Sequence, residues 1–236
     1  MSTPVGHSLF GYAVASLISG KIFSHNFIPN NYSSISGDNF NFSSITYNGS
    51  IKNIFFIDEL AHFQNSFASI NTIQLALVKN FIVTAIIRNY PKEYFSFYSN
   101  GFGEKSTTNN EFGIYTGFKW KTRFGEINFY LDQFKFPHPS SLIPLPSSGN
   151  ELSFSYLNRF SNSINFYMRY FKEKKEVTEI VDLKYLIVEQ RLQKIRGEVT
   201  FQANHFLRLR TRIELLYLSQ NQTSINEMIL IELTRM

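Results

Sequence analysis

The sequence predicts an all-β fold, an antiparallel up-and-down transmembrane β-barrel of about twelve strands, forming one domain over residues 1–236 and either closed or left open at its edges. Alternation is the first sign. In FLRLRTRIELLYL, residues 206–218, Arg208, Arg210, Arg212 and Glu214 fall on one side of an extended chain, with Leu207, Leu209, Thr211, Ile213, Leu215 and Tyr217 on the other. A helix would smear both sets around its surface and leave no apolar stripe. Strand length is the second sign, since segments of about 10 to 14 residues exceed the five or six usual in globular sheets and match the 9 to 11 tilted residues that cross a bilayer. Composition is the third. Aromatic residues make up 17%, with 25 Phe and 13 Tyr, an excess that suits strands and interfacial girdles.

The strands follow in order at 10–25, 39–49, 51–64, 68–78, 81–94, 109–121, 125–137, 151–160, 162–174, 187–204, 206–220 and 226–236. Phe112, Ile114, Thr116, Phe118 and Trp120 oppose Glu111, Gly113, Tyr115, Gly117 and Lys119. Ile127, Phe129 and Leu131 likewise oppose Glu126, Asn128, Tyr130 and Asp132, and Ile164, Phe166, Met168 and Tyr170 oppose Asn165, Tyr167 and Arg169. In the last strand Ile229, Ile231 and Leu233 oppose Leu230, Glu232 and Thr234. Asn48-Gly49, Thr122 to Gly125 and Asn204-His205 predict tight reversals, whereas the stretch before residue 110 and PHPSSLIPLPSSGN at 137–150 predict long loops. Short turns at one end and long loops at the other is the arrangement of an outer-membrane barrel.

Hydrophobic residues are 43% and mean hydropathy is −0.15, with no run of about 18 apolar residues, so a helical membrane protein is excluded. The net charge of +5 is dispersed except for KEKKE at 172–176, read as a solvated strand end or loop. With no cysteine, disulfides and thiolate chemistry are out. The opening MSTPVGHSLFGYAVASLISG has an apolar run without a preceding Lys or Arg, which argues against a cleaved signal.

RNYPKEYFSFYSNGFGEKSTTNNEFGIYTGFKWKTRFGEINFYLDQFKFP, residues 88–137, resembles a family of large uncharacterised barrel proteins of Bacteroidota and related bacteria. The matching residues are Arg88 and Tyr90, then the loop residues Tyr98, Asn100, Phe102, Gly103 and Glu104. Asn110, Glu111, Gly113, Tyr115 and Gly117 follow, and Asp132, Phe134, Phe136 and Pro137 end the match. Some members carry an amino-terminal helix-hairpin-helix module that nothing here resembles. The resemblance implies a middle section or shortened relative, and the carboxy terminus, ELTRM, lacks the aromatic residue typical of outer-membrane barrels. Together these favour an incompletely closed sheet.

Chemistry points away from an enzyme. Phe97-Tyr98-Ser99-Asn100-Gly101 lines up with the His-x-Ser-Asn of outer-membrane lipid hydrolases, but Phe97 stands where the base belongs. The alternatives are a lipid hydrolase using Ser99 and an accessory of DNA uptake. His7, His25, His62, His138 and His205 show no metal-ligand spacing, so no metal or cofactor is expected. The candidate functional set is the charged side of the strands: Arg88, Glu111, Lys119, Glu126, Asp132, Arg169, Arg208, Arg210, Arg212, Glu214 and Glu232. Both signs occur in similar number, which favours cross-strand pairing in a scaffold or passage over a one-sign selective ring. The expected partners are outer-membrane lipid on the apolar face and a periplasmic or outer-membrane protein, with no direct nucleic-acid contact.

Overall fold

The computed structural model describes the backbone of residues 8–24, 36–96, 100–140, 143–181, 184–203, 206–220 and 224–235, with side chains from residue 40 to residue 220 except 97–99, 141–142, 181–184 and 204–205. Twelve strands form one sheet: β1 (Ser8–Ser24), β2 (Ser36–Ile51), β3 (Ile54–Phe63), β4 (Ser66–Val78), β5 (Phe81–Tyr90), β6 (Glu111–Thr122), β7 (Gly125–Phe136), β8 (Ser147–Arg159), β9 (Ile164–Val181), β10 (Lys184–Gln202), β11 (Arg208–Gln220) and β12 (Ser224–Arg235). Each is antiparallel to its sequence neighbour, in the order β1 to β12. Among the described residues β12 does not pair with β1, so the sheet is open.

Register gives the sheet two faces. The ladder from Glu59 to Ile70, Arg88, Gly113, Phe134, Gly149, Lys175, Gln190 and Gln220 runs across one side. Alternation then places Ile45, Leu60, Ile73, Ile87, Ile114, Trp120, Met168, Ile195, Val199 and Ile213 on the other, where all are exposed. No helix of the described residues is long and apolar enough to cross a membrane. Towards the end of the sheet where β9 meets β10, the apolar face is interrupted: its positions become Lys172, Lys174, Glu176, Glu189 and Arg191, beyond which Ile180, Tyr185 and Ile187 are again apolar and exposed. There Lys174 Nζ meets Glu189 at 2.9 Å, and Arg191 pairs with the same carboxylate.

At the opposite end, aromatic side chains collect. The Phe81 and Trp120 rings meet edge to face at 6.2 Å, and Phe166 contacts both Tyr156, at 6.5 Å, and Phe160, at 6.4 Å. Tyr156 OH donates to the carbonyl of Phe124 at 2.6 Å, an amphipathic ring with its polar tip at the turn.

Several local expectations are corrected. Asn48-Gly49 lies inside β2, and the reversal falls at Lys52-Asn53, where Lys52 adopts φ 55°. A Cβ at Gly49 would meet only the outer end of the Tyr47 side chain, which can swing aside. Ser147–Asn150, assigned to a loop by its small polar residues, is strand because its backbone completes the ladder with Gln133–Phe136. KEKKE at 172–176 lies within β9 and not at its end, since β9 and β10 continue pairing as far as Val181 and Lys184. Thr122 to Gly125 does reverse the chain, with Thr122 Oγ1 donating to the carbonyl of Gly125 at 3.0 Å, while Asn204-His205 lies outside the described residues. Long connections all leave one end of the sheet, but that end also holds the two-residue turn between Phe63 and Ser66.

The second face is not polar throughout. At the long-loop end of β2 to β5, Phe40, Phe63, Ala68 and Tyr90 form a buried cluster closed by Tyr94 of the following loop. Charge is concentrated from β5 onward.

Candidate functional site

Arg88 is the centre of the charged face. It is fully buried, its Nε donates to Glu111 Oε1 at 2.6 Å and its Nη1 to Asp132 Oδ1 at 2.9 Å. The three residues come from adjacent strands β5, β6 and β7, where extended backbones bring residues 23 and 44 positions away within reach. A buried guanidinium without both carboxylates would carry a desolvation penalty of several kcal/mol, so the triad stands or falls together.

Glycine makes room for it. The guanidinium lies across Gly113, and an added Cβ would come within 2.5 Å of Arg88 Nε and 2.6 Å of Nη2. Gly149 serves Phe134 in the same way, its Cβ position being 2.6 Å from the ring and 2.8 Å from the carbonyl oxygen of Lys174. These are two close approaches that any side chain would block.

The loop between β5 and β6 folds over this cluster. Its neck is closed by Asn110 N donating to the Pro91 carbonyl at 3.2 Å, with Asn110 at φ 50°. Asn110 also exchanges bonds with the backbone of His138, donating to its carbonyl at 2.6 Å and accepting from its N–H at 2.9 Å, which clasps two loops together. Glu111 accepts from the Glu104 N–H at 3.1 Å and from the Lys105 N–H at 3.4 Å. Gly103 is required here because its Cβ would fall 2.8 Å from Glu111 Oε1. Phe102 completes the lid, its ring 5.2 Å from Arg88 Cζ and edge-on to Tyr115 at 5.5 Å, while its carbonyl accepts from Tyr90 OH at 2.9 Å.

The folded-over loop delivers Glu104 to Glu151 and Glu173, with carboxylate oxygens of the three within 4.8 Å of one another. Burial first, and then the charges of Glu151, Asp132, Glu173 and Glu111, push the Glu104 carboxyl up to about 8. Three converging carboxylates could share a proton or hold a hard divalent cation. Lys105, desolvated by the same loop, is held below the usual ammonium range, its Nζ 4.3 Å from the Phe136 ring centroid.

The remaining residues of the expected set lie on the same face. Lys119 Nζ pairs with Glu126 at 2.6 Å. Arg210 and Arg212 share Glu198, at 2.7 and 3.2 Å, and Glu214 takes Arg196 at 2.8 Å. Arg169 donates instead to Ser153 Oγ and Tyr130 OH, at 3.1 and 3.4 Å. Arg208 is exposed where β11 begins. Of Glu232 only the backbone is described, Asn100 sits exposed in the loop, and Phe97, Tyr98 and Ser99 lie outside the described residues. His62 packs on Phe67 at 4.5 Å and His138 serves the loop clasp through its backbone.

Sequence reasoning missed Glu151, Glu173, Arg196 and Glu198. Alternation in KIRGEVTF, residues 194–201, carried the signal for Arg196 and Glu198, since Lys194, Arg196 and Glu198 oppose Ile195, Gly197 and Val199. Nothing local marks Glu104 as the residue that reaches Glu151. The structure also biases charge along the face: Glu104, Glu111, Asp132, Glu151 and Glu173 gather around Arg88 and its loop, whereas Arg169, Lys194, Arg196, Arg208, Arg210 and Arg212 occupy β9 to β11 around Glu198 and Glu214.

No protein-family description and no curated protein matches this chain. Among solved structures it compares with OpdQ of Pseudomonas aeruginosa at 11% sequence identity and a TM-score of 0.45, over 95% of this chain and 62% of that one. The chain therefore spans 62% of the length of OpdQ.

Proposed function

We propose that this protein is a β-barrel protein of the bacterial outer membrane, related to the uncharacterised Bacteroidota barrels, and that it works as a scaffold or passage and not as an enzyme. The observation that carries this reading is the two-faced sheet. One side is an exposed hydrocarbon surface from β2 to β11, interrupted by a charged belt just beyond Tyr170, and the other is a band of ion pairs and hydrogen bonds from β5 to β11. A soluble protein would expose so continuous an apolar face only for a partner, whereas lipid demands it of every strand. The aromatic side chains at the short-turn end match an interfacial girdle, and the charged belt of Lys172, Lys174, Glu176, Glu189 and Arg191 matches the level at which β9 and β10 leave the bilayer.

On this reading the loop from Pro91 to Asn110 narrows the polar side at its long-loop mouth, and the Arg88 cluster anchors it there. Lipid covers the apolar face. The free edges of β1 and β12 need strands to pair with in a bilayer, which is the basis for expecting an outer-membrane protein partner.

Ile213→Arg tests the reading. Ile213 is exposed at mid-strand on β11, so in water an arginine there would be benign, whereas at mid-bilayer it costs about 2 to 4 kcal/mol. Folding into lipid vesicles, followed by heat-modifiable migration and urea titration, should show that loss. Unchanged stability of Ile213→Arg would refute a lipid-facing surface.

A further inference from the structure

A cleft of about 110 Å³ opens on the charged face where β9, β10 and β11 run side by side, lined by Arg169, Phe171, Lys194, Arg196 and Glu214. Register sets Arg196 directly opposite Arg169, and Lys194 directly opposite Phe171. Like charges facing each other across a ladder repel, so this arrangement calls for negative charge between them. Glu214 supplies it on one side only: Oε2 accepts from Arg196 Nη2 at 2.8 Å and from Nε at 2.9 Å, and β11 lies on the flank of β10 away from Arg169.

Arg169 is held by neutral groups, Ser153 Oγ and Tyr130 OH. Lys194 has its Nζ 5.8 Å from the Phe171 ring centroid, and Arg169 Cζ is 5.2 Å from the same centroid. Phe171 thus acts as a floor that holds two cations by their attraction to its face. Among the described residues neither Arg169 nor Lys194 has a carboxylate partner, in contrast to Arg196, Arg210 and Arg212 nearby.

We propose that this cleft binds a dianionic phosphate group between Arg169, Lys194 and Arg196. Two uncompensated positive charges match a dianion, and guanidinium groups present paired N–H donors to the oxygens of a tetrahedral anion. At roughly 30 Å³ per water the cleft has space for three or four, enough for a phosphate and not for a bulky apolar body. The inference rests on the charged face being the wet side of the sheet, as proposed above. The same chemistry fits free phosphate and the phosphomonoester of a small solute.

The test uses the full chain folded in detergent, in low-salt buffer free of phosphate and sulfate. Inorganic phosphate and glycerol 3-phosphate are titrated separately by calorimetry, and the tighter of the two identifies the source. Saturable binding at one site is expected, with Arg169→Gln and Lys194→Gln each weakening it roughly tenfold or more and Arg169→Lys retaining most of it. Arg169→Gln relieves a like-charge contact but gives up the bonds to Ser153 and Tyr130, so its stability to urea in phosphate-free buffer serves as the baseline from which the effect of phosphate is read. Phosphate should raise the unfolding midpoint of the parent and not of the Arg169→Gln/Lys194→Gln double variant. Absence of saturable binding to protein with intact heat-modifiable migration, or equal binding by the double variant, overturns the proposal. A failure of the membrane reading would show separately, as tolerance of Ile213→Arg.

Discussion

Adding one methyl group at Gly113 and at Gly197 should have opposite outcomes, although both glycines lie within strands. At Gly113 the new Cβ would stand 2.5 Å from Arg88 Nε, against an ordinary contact that begins at 3.4 Å, so the guanidinium must retreat by about 0.9 Å. It has nowhere to go. Nε is bound to Glu111 at 2.6 Å, Nη1 to Asp132 at 2.9 Å, and Phe102 covers the plane. If the side chain only strains, overpacking costs about 1 to 3 kcal/mol; if the Glu111 bond breaks, the loss is about 3 to 5 kcal/mol. With a 0.9 Å shift stretching a 2.6 Å bond to the limit of hydrogen bonding, about 3 kcal/mol is expected for Gly113→Ala. At Gly197 nothing lies within 4 Å, so Gly197→Ala should be neutral or stabilising by up to about 1 kcal/mol. Urea unfolding followed through Trp120, the single tryptophan, gives both values from the shift in midpoint. In an Arg88→Ala background the cost of Gly113→Ala should fall below about 1 kcal/mol, since the colliding group is gone. A Gly113→Ala protein within about 0.5 kcal/mol of the parent, or an equal loss at Gly197, would refute the reasoning.

Three further outcomes follow from the same geometry. Because the Glu104 carboxyl is pushed up to about 8, above its ordinary 4.5, the docked loop is most stable below about pH 4.5 and loses stability as pH rises through 8. The hydrogen-exchange protection factors of residues 100–110, which divide out the intrinsic base-catalysed rise of exchange with pH, should therefore fall between pH 5 and 9 in the parent and stay flat in Glu104→Gln, and a parent profile without that fall would contradict the raised carboxyl. Glu198→Gln removes the carboxylate that two arginines share at 2.7 and 3.2 Å and should cost about 2 to 3 kcal/mol in urea titration, with a loss below about 0.5 kcal/mol counting against the pairing. Gly149→Ala should displace the Phe134 ring, because the backbone carbonyl of Lys174 blocks the other direction, and should destabilise by about 1 to 3 kcal/mol on the same measurement.

The sequence by itself determined which residues share a face. Strand periodicity is local, so alternation in FLRLRTRIELLYL and in the 111–120 stretch separates charge from hydrocarbon without reference to any neighbour. The number of strands was legible for the same reason. Their ends were less so: Asn48-Gly49 and Ser147–Asn150 have the composition of turns, yet ladder bonds to β3 and β7 keep them extended. What only the tertiary structure decided is who faces whom. Arg88, Glu111 and Asp132 meet because two registers agree across 44 residues, and Glu104 reaches Glu151 because a loop folds inward over them. The motif from Arg88 to Pro137 then acquires a physical meaning, with Gly113 and Gly103 present as the spaces that Arg88 and Glu111 occupy. The basic cleft is of the same kind, since Arg169 and Arg196 lie 27 positions apart and only the pairing of β9 with β10 sets them opposite each other. Register is a cooperative property of the whole sheet, fixed by the sum of many backbone bonds and packed faces, and no short window of residues contains it.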